Sequence, residues 1–154
     1  MSTEEYKKAY IFLSNKCSKK EISSREALKA CSKFKLKIVD KNNLINELKK
    51  QNFINHERFS NAFVHDRFNF YRWGKNKIIH HLKQKGIEEF YIEKAIESIS
   101  DKLYYKVLSE EAIKKHQSMK TPVDFHSKQK LMKFLYQKGF ESELVFNEVE
   151  KLFP

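Results

Sequence analysis

Leu82-Lys83-Gln84-Lys85-Gly86-Ile87 recurs as Leu135-Tyr136-Gln137-Lys138-Gly139-Phe140, 53 residues further along the chain. The same offset carries Glu88 onto Glu141, and Ile92, Ile96 and Ile99 onto Val145, Val149 and Leu152. Gly86 and Gly139 fall where a helix ends on a left-handed residue, so each block reads as a helix, a stop and a second helix. A degraded copy, Leu28-Lys29-Ala30-Cys31-Ser32, lies 54 residues before Leu82, with Ser32 in the place of glycine. Its following helix needs a short insertion, over 33–40, to bring Leu44, Ile45 and Leu48 into place. Self-similarity at such a period marks stacked units that stabilise their neighbours.

The helix signals spread outward from these blocks. Ser2-Thr3-Glu4-Glu5 and Ser18-Lys19-Lys20-Glu21 have the S-x-x-E spacing of a capping box. Asp40 and Asn55 are N-cap types before apolar-periodic runs, and Thr121-Pro122 places a cap before a proline at the first helical position. Nine helices are predicted, over 4–16, 19–32, 40–51, 56–71, 74–85, 87–99, 101–118, 122–138 and 140–153. The expected fold is all-α: an elongated tandem array of three three-helix repeats, over 1–52, 53–100 and 101–154.

Composition agrees. Glycine and proline together are 5 of 154 residues, too few for a turn-rich β fold. Leu, Ile, Val and Phe make up 43 of the 154, well above the disordered range. No apolar run approaches membrane-spanning length, and the acidic start has no signal-peptide pattern, so a cytoplasmic chain without membrane contact is expected. Cys17 and Cys31 lack paired spacing and are expected to be reduced thiols.

Lys plus Arg is 31 and Asp plus Glu is 20, a net charge of +11, which suits an anionic partner. Within the repeat the charge is sorted by helix. From Arg67 to Ile87 there is no acidic residue; from Glu88 to Asp101 there are five. The third copy repeats this, with lysines between Phe125 and Phe140 followed by Glu141, Glu143, Glu148 and Glu150.

No phosphate-binding glycine loop and no nucleophile elbow is present, so no catalytic site and no cofactor is expected. His80 and His81 point about 100° apart on a helix, and His56 and His65 lack zinc-ligand spacing; all read as solvated histidines, and no metal site is expected. The sharpest local feature is Arg67-Phe68-Asn69-Phe70-Tyr71-Arg72-Trp73-Gly74-Lys75-Asn76-Lys77, which interleaves rings with cations and holds the single Trp. On its first helix Phe59, Ala62, Phe63 and Phe70 fall on one face and read as core, while Phe68 falls on the other. The expected partner surface therefore comprises Arg67, Arg72, Lys75 and Lys77, with Phe68 or Trp73 as apolar anchor. Lys83, Lys85, Lys128 and Lys130 extend it as a basic ridge. The competing reading makes Trp73 a plug at the helix junction and the cations mere solubilisers.

These features resemble the RecX family of RecA modulators. The resemblance runs through Phe53-Ile54-Asn55-His56-Glu57-Arg58-Phe59-Ser60-Asn61-Ala62-Phe63-Val64-His65-Asp66-Arg67, then Trp73-Gly74-Lys75-Asn76-Lys77-Ile78, then Leu82–Ile87. Ala9–Leu13 with Cys17, Ser18 and Glu21 is similar to the family's first repeat, and Leu135–Phe140 to its last. What this implies is a non-enzymatic regulator that binds RecA and its DNA filament and restrains ATPase, strand exchange and coprotease activity. It implies no cofactor, and the chain is expected to act as a monomer. Direct contact with single- or double-stranded DNA stays open. So does the alternative of a helical-repeat nucleic-acid-binding protein acting without RecA; an enzyme has no positive feature.

The tandem arrangement predicts a long molecule. A single compact domain of this length has a radius of gyration of about 15 Å. Small-angle scattering is expected to give a clearly larger value; a globular value with a bell-shaped pair-distance distribution would contradict the array.

Overall fold

The structure, a computed structural model, describes residues 3–119 and 124–153. Among them the chain is all-α, with no strand. The helices are α1 (Glu4–Lys19), α2 (Ser24–Ala30), α3 (Ile38–Lys50), α4 (His56–Asn69), α5 (Lys75–Gln84), α6 (Glu89–Glu97), α7 (Asp101–Ser118), α8 (Phe125–Gln137) and α9 (Ser142–Leu152), with a 3-10 turn at Cys31–Lys33. No described helix is long and apolar enough to cross a membrane.

The chain divides into two compact units. The first comprises residues 1–62 and 82–92. Its core joins Ala9 and Leu13 of α1, Ile22, Ala27 and Cys31 around α2, and Leu44, Ile45 and Leu48 of α3, closed by Ile54. The second comprises 63–81 and 93–154. There α7, α8 and α9 pack on one another, burying Leu108, Leu131, Leu135, Val145 and Val149. Helices α4, α5 and α6 contribute residues to both units.

Local chemistry sets the boundaries. Thr3 caps α1 by accepting the Tyr6 N–H; Ser2 lies outside the described residues. The box expected at Ser18 forms five residues later, where Ser23 and Glu26 exchange hydrogen bonds, because α1 runs through Ser18 to Lys19. Helix α3 begins at Ile38, so Asp40 sits inside its first turn, where a carboxylate favours the helix dipole, instead of capping it. Asn55 does cap α4, accepting the Arg58 N–H at 2.9 Å. Thr121 and Pro122 lie outside the described residues, and α8 is capped by Asp124.

The repeated block closes identically in both copies. Gly86 (φ 77°) and Gly139 (φ 100°) are left-handed, and Ile87 N–H and Phe140 N–H reach back to the carbonyls of Leu82 and Leu135. Ser32, the first copy's counterpart, lies in the 3-10 turn.

The third glycine, Gly74, meets the second of these caps. Gly74 N–H donates to Lys138 O at 2.7 Å, and Asn76 N–H to Gly139 O at 2.9 Å. A Cβ on Gly74 would lie 2.3 Å from the Gly139 carbonyl carbon and the Phe140 nitrogen. A Cβ on Gly139 would lie 2.4 Å from that of Lys77. Two backbones therefore cross in contact, which only glycine permits.

Gly74→Ala is expected to lower stability by about 1–3 kcal/mol through overpacking. Gly139→Val and Gly86→Val should also destabilise, since both impose a β-branched residue on positive φ. Ser32→Gly, at an exposed position, should stay within about 0.5 kcal/mol of the parent. Denaturant titration measures all four; unchanged midpoints for Gly74→Ala and Gly139→Val would refute the crossing.

Candidate functional site

Each unit contains one joint of the same design. In the first unit the N–H of Ser24, the first residue of α2, donates to His56 Nε2 at 2.9 Å. His56 Nδ1 in turn donates to Glu88, at 2.8 and 3.0 Å from its two oxygens. In the second unit the N–H of Lys75, the first residue of α5, donates to the Tyr104 hydroxyl at 2.9 Å, which donates to Glu141. Glu88 immediately precedes α6 and Glu141 caps α9. The first N–H groups of a helix have no partner within it. Here a side chain from two helices further along, His56 of α4 or Tyr104 of α7, supplies one.

His56 is thus not solvated as expected: its side chain is 5% exposed, inside the joint. The Ser24 bond requires an unprotonated Nε2, which assigns the neutral ring its Nδ1–H form. Burial and the Glu141 bond push the Tyr104 hydroxyl well above its ordinary range, so it remains a donor.

Ion pairs absorb several of the expected site residues. Arg72 binds Glu110 at 2.8 Å and Glu111 at 3.2 Å, and Lys138 binds Glu111 at 2.8 Å. Burial alone would raise the Glu111 carboxyl, but Lys138 and Arg72 hold it below the usual carboxylate range. Lys85 pairs with Glu26 at 3.0 Å, and Lys128 with Glu150. These cations are engaged inside the fold.

Phe68 is a correction. It is 2% exposed and stacks on Tyr104 at 5.9 Å, so it offers no anchor to a partner. Phe70, expected in the core, is 72% exposed. The buried face of α4 runs through Phe59, Ser60, Phe63, Val64 and Phe68, which leaves Ala62 in solvent. The helix ends at Asn69, so Phe70 no longer follows its 100° count.

The remaining positions form a surface of a different kind. The Arg67 guanidinium lies 4.8 Å from the Phe63 ring, 4.6 Å from Tyr71 and 5.2 Å from Trp73. The Lys77 ammonium lies 4.4 Å from the Trp73 ring, and that of Lys75 4.5 Å from Tyr104. His81 packs on Trp73 at 4.7 Å. Among the described residues Arg67, Lys75 and Lys77 make no ion pair. Ring faces attract these cations without neutralising them. Trp73 is therefore both the junction plug and the platform for two cations. Lys83 of the first unit and Lys130 of the second are exposed.

Two family descriptions match the chain: RecX, second three-helix domain, over residues 55–96, and RecX, third three-helix domain, over residues 103–147. The chain belongs to the RecX family. Its fold is similar to a crystal structure of regulatory protein RecX, with a TM-score of 0.84 at 21% identity over 96% of this chain and 72% of that one. It is similar also to RecX from Lactobacillus salivarius, with a TM-score of 0.83 at 21% identity over 97% of each chain. No curated protein matches by sequence.

In this RecX-family chain, sequence reasoning missed the joint residues His56 and Tyr104, and Glu111, the carboxylate that takes up Arg72 and Lys138. The clue was present in the 53-residue offset that carries Glu88 onto Glu141. Acidic residues held in register beside glycine caps belong to a joint. No group of three or more metal-ligating side chains occurs among the described residues.

Tyr104→Phe strands the Lys75 N–H and frees Glu141, and is expected to cost about 1–3 kcal/mol. His56→Phe does the same to Ser24 and Glu88 at similar cost. Equilibrium unfolding checks both, and a parent-like midpoint for either variant would show that its joint contributes nothing.

Proposed function

We propose that this RecX-family chain binds the RecA filament on DNA and restrains its ATPase, strand-exchange and coprotease activities. It does so in the cytoplasm, through binding and not catalysis. Membership of the RecX family, and the likeness to a solved RecX described as a regulatory protein, support this reading. The observation that carries it to residues is the set of unneutralised cations, Lys75 and Lys77 above all, held in place by rings in an acid-free stretch. Charges fixed in this way attract an acidic, DNA-bearing groove without spending side-chain entropy on binding. The division into three repeats, over 1–52, 53–100 and 101–154, belongs to the same reading; the matched spans 55–96 and 103–147 support the second and third.

Blocking or wedging a filament acts on many protomers at once, so inhibition of single-stranded-DNA-dependent RecA ATPase is expected well below one copy per RecA. Charge reversal at Lys75 and Lys77 together should weaken filament binding while the circular dichroism stays native. Full ATPase and strand exchange at equimolar protein would overturn the reading. DNA binding with RecA unaffected would establish instead a nucleic-acid-binding protein that works without RecA.

A further inference from the structure

Arg67 is the least explained cation in the fold. Its Nε is buried and has no hydrogen-bond partner among the described residues, while the half-buried side chain runs beside the rings of Phe63, Tyr71 and Trp73. Withholding that Nε from water with no acceptor beside it is costly, and a fold that needed only a plug would use an apolar side chain. Lys77 sits on the same Trp73 ring, again without a carboxylate. Two ring-held positive charges thus share one indole.

The rings beside them are open. Tyr71 is 54% exposed and Phe70 is 72% exposed, consecutive in the turn that leaves α4. An exposed ring face selects among anions. Its electron-rich π cloud repels a carboxylate, whereas a nucleobase stacks on it. Stacking requires unpaired bases, which a duplex does not offer. Arg67 and Lys77 then suit backbone phosphates.

We propose that Arg67 and Lys77, held on Trp73, bind the phosphates of single-stranded nucleic acid, and that Tyr71 and Phe70 stack its bases. The site needs no RecA. Its failure leaves the filament reading standing, and failure of the filament reading leaves the site standing.

Trp73 is the only tryptophan, so its emission reports this site directly. Titration with a dodecamer of deoxythymidylate is expected to change that emission saturably. The logarithm of the binding constant should fall with that of salt at a slope of roughly −1.4, the value for two phosphate contacts on a single strand. Arg67→Gln and Lys77→Gln should each reduce the slope by about 0.7, while Arg67→Lys, which keeps the charge, should retain it. Tyr71→Ala should weaken binding roughly tenfold with the slope unchanged. Circular dichroism confirms that each variant is folded, and the exposed Tyr71 keeps the test available if Arg67→Gln unfolds. No binding would overturn the proposal. So would binding seen by anisotropy with Trp73 emission unmoved, an equal response to polyglutamate, or a duplex of equal length bound as tightly and indifferent to Tyr71→Ala.

Discussion

Where Gly74 passes Gly139 and Phe140, two stretches of backbone touch with no side chain between them. That approach lets Gly74 and Asn76 donate to the carbonyls of Lys138 and Gly139, and it sets Lys75 N–H on the Tyr104 hydroxyl. Three consecutive amides at the start of α5 are thereby satisfied from outside the helix. Trp73 immediately precedes this anchor and Lys77 follows within one turn. The platform that carries the unpaired cations is therefore placed by backbone contact, which has no rotamers to relax.

The first unit solves the same problem with other residues. The left-handed Gly86 faces Arg25, which donates to Gln84 O at 2.8 Å, and His56 takes the role that Tyr104 has in the second unit. The two joints share their logic: an orphan N–H at the start of a helix, an aromatic side chain that accepts its hydrogen bond, and a glutamate that accepts one from that side chain. An imidazole and a phenol serve equally because each presents an acceptor and a donor on one ring. The charges are sorted as well. Arg72, Lys85 and Lys138 meet carboxylates beside them, while Arg67, Lys75 and Lys77 meet rings.

Much of the fold was legible in the sequence. Helix content followed from scarce glycine and proline and from the apolar period, and the left-handed caps at Gly86 and Gly139 followed from their place in the repeated block. Boundaries shifted where several cap types stood close together, as at Ser18 and Ser23, since local propensity cannot choose between them. The site was less legible. Periodicity placed Phe68 outside and Phe70 inside because it could not foresee that α4 stops at Asn69 or that Tyr104 stacks on Phe68. Nor does charge counting distinguish a lysine beside a glutamate from one above a ring, because that pairing depends on residues up to 59 positions away, as between Lys85 and Glu26.

A surface of cations held on rings acts as a recognition element only if its support is rigid. Native-state hydrogen exchange at the amides of Gly74, Lys75 and Asn76 measures that support residue by residue. The backbone crossing and the Tyr104 joint predict protection close to that of amides in the middle of α7. Exchange at the rate of an exposed loop would contradict the crossing, and with it the fixed placement of Trp73, Arg67 and Lys77 on which the functional reading stands.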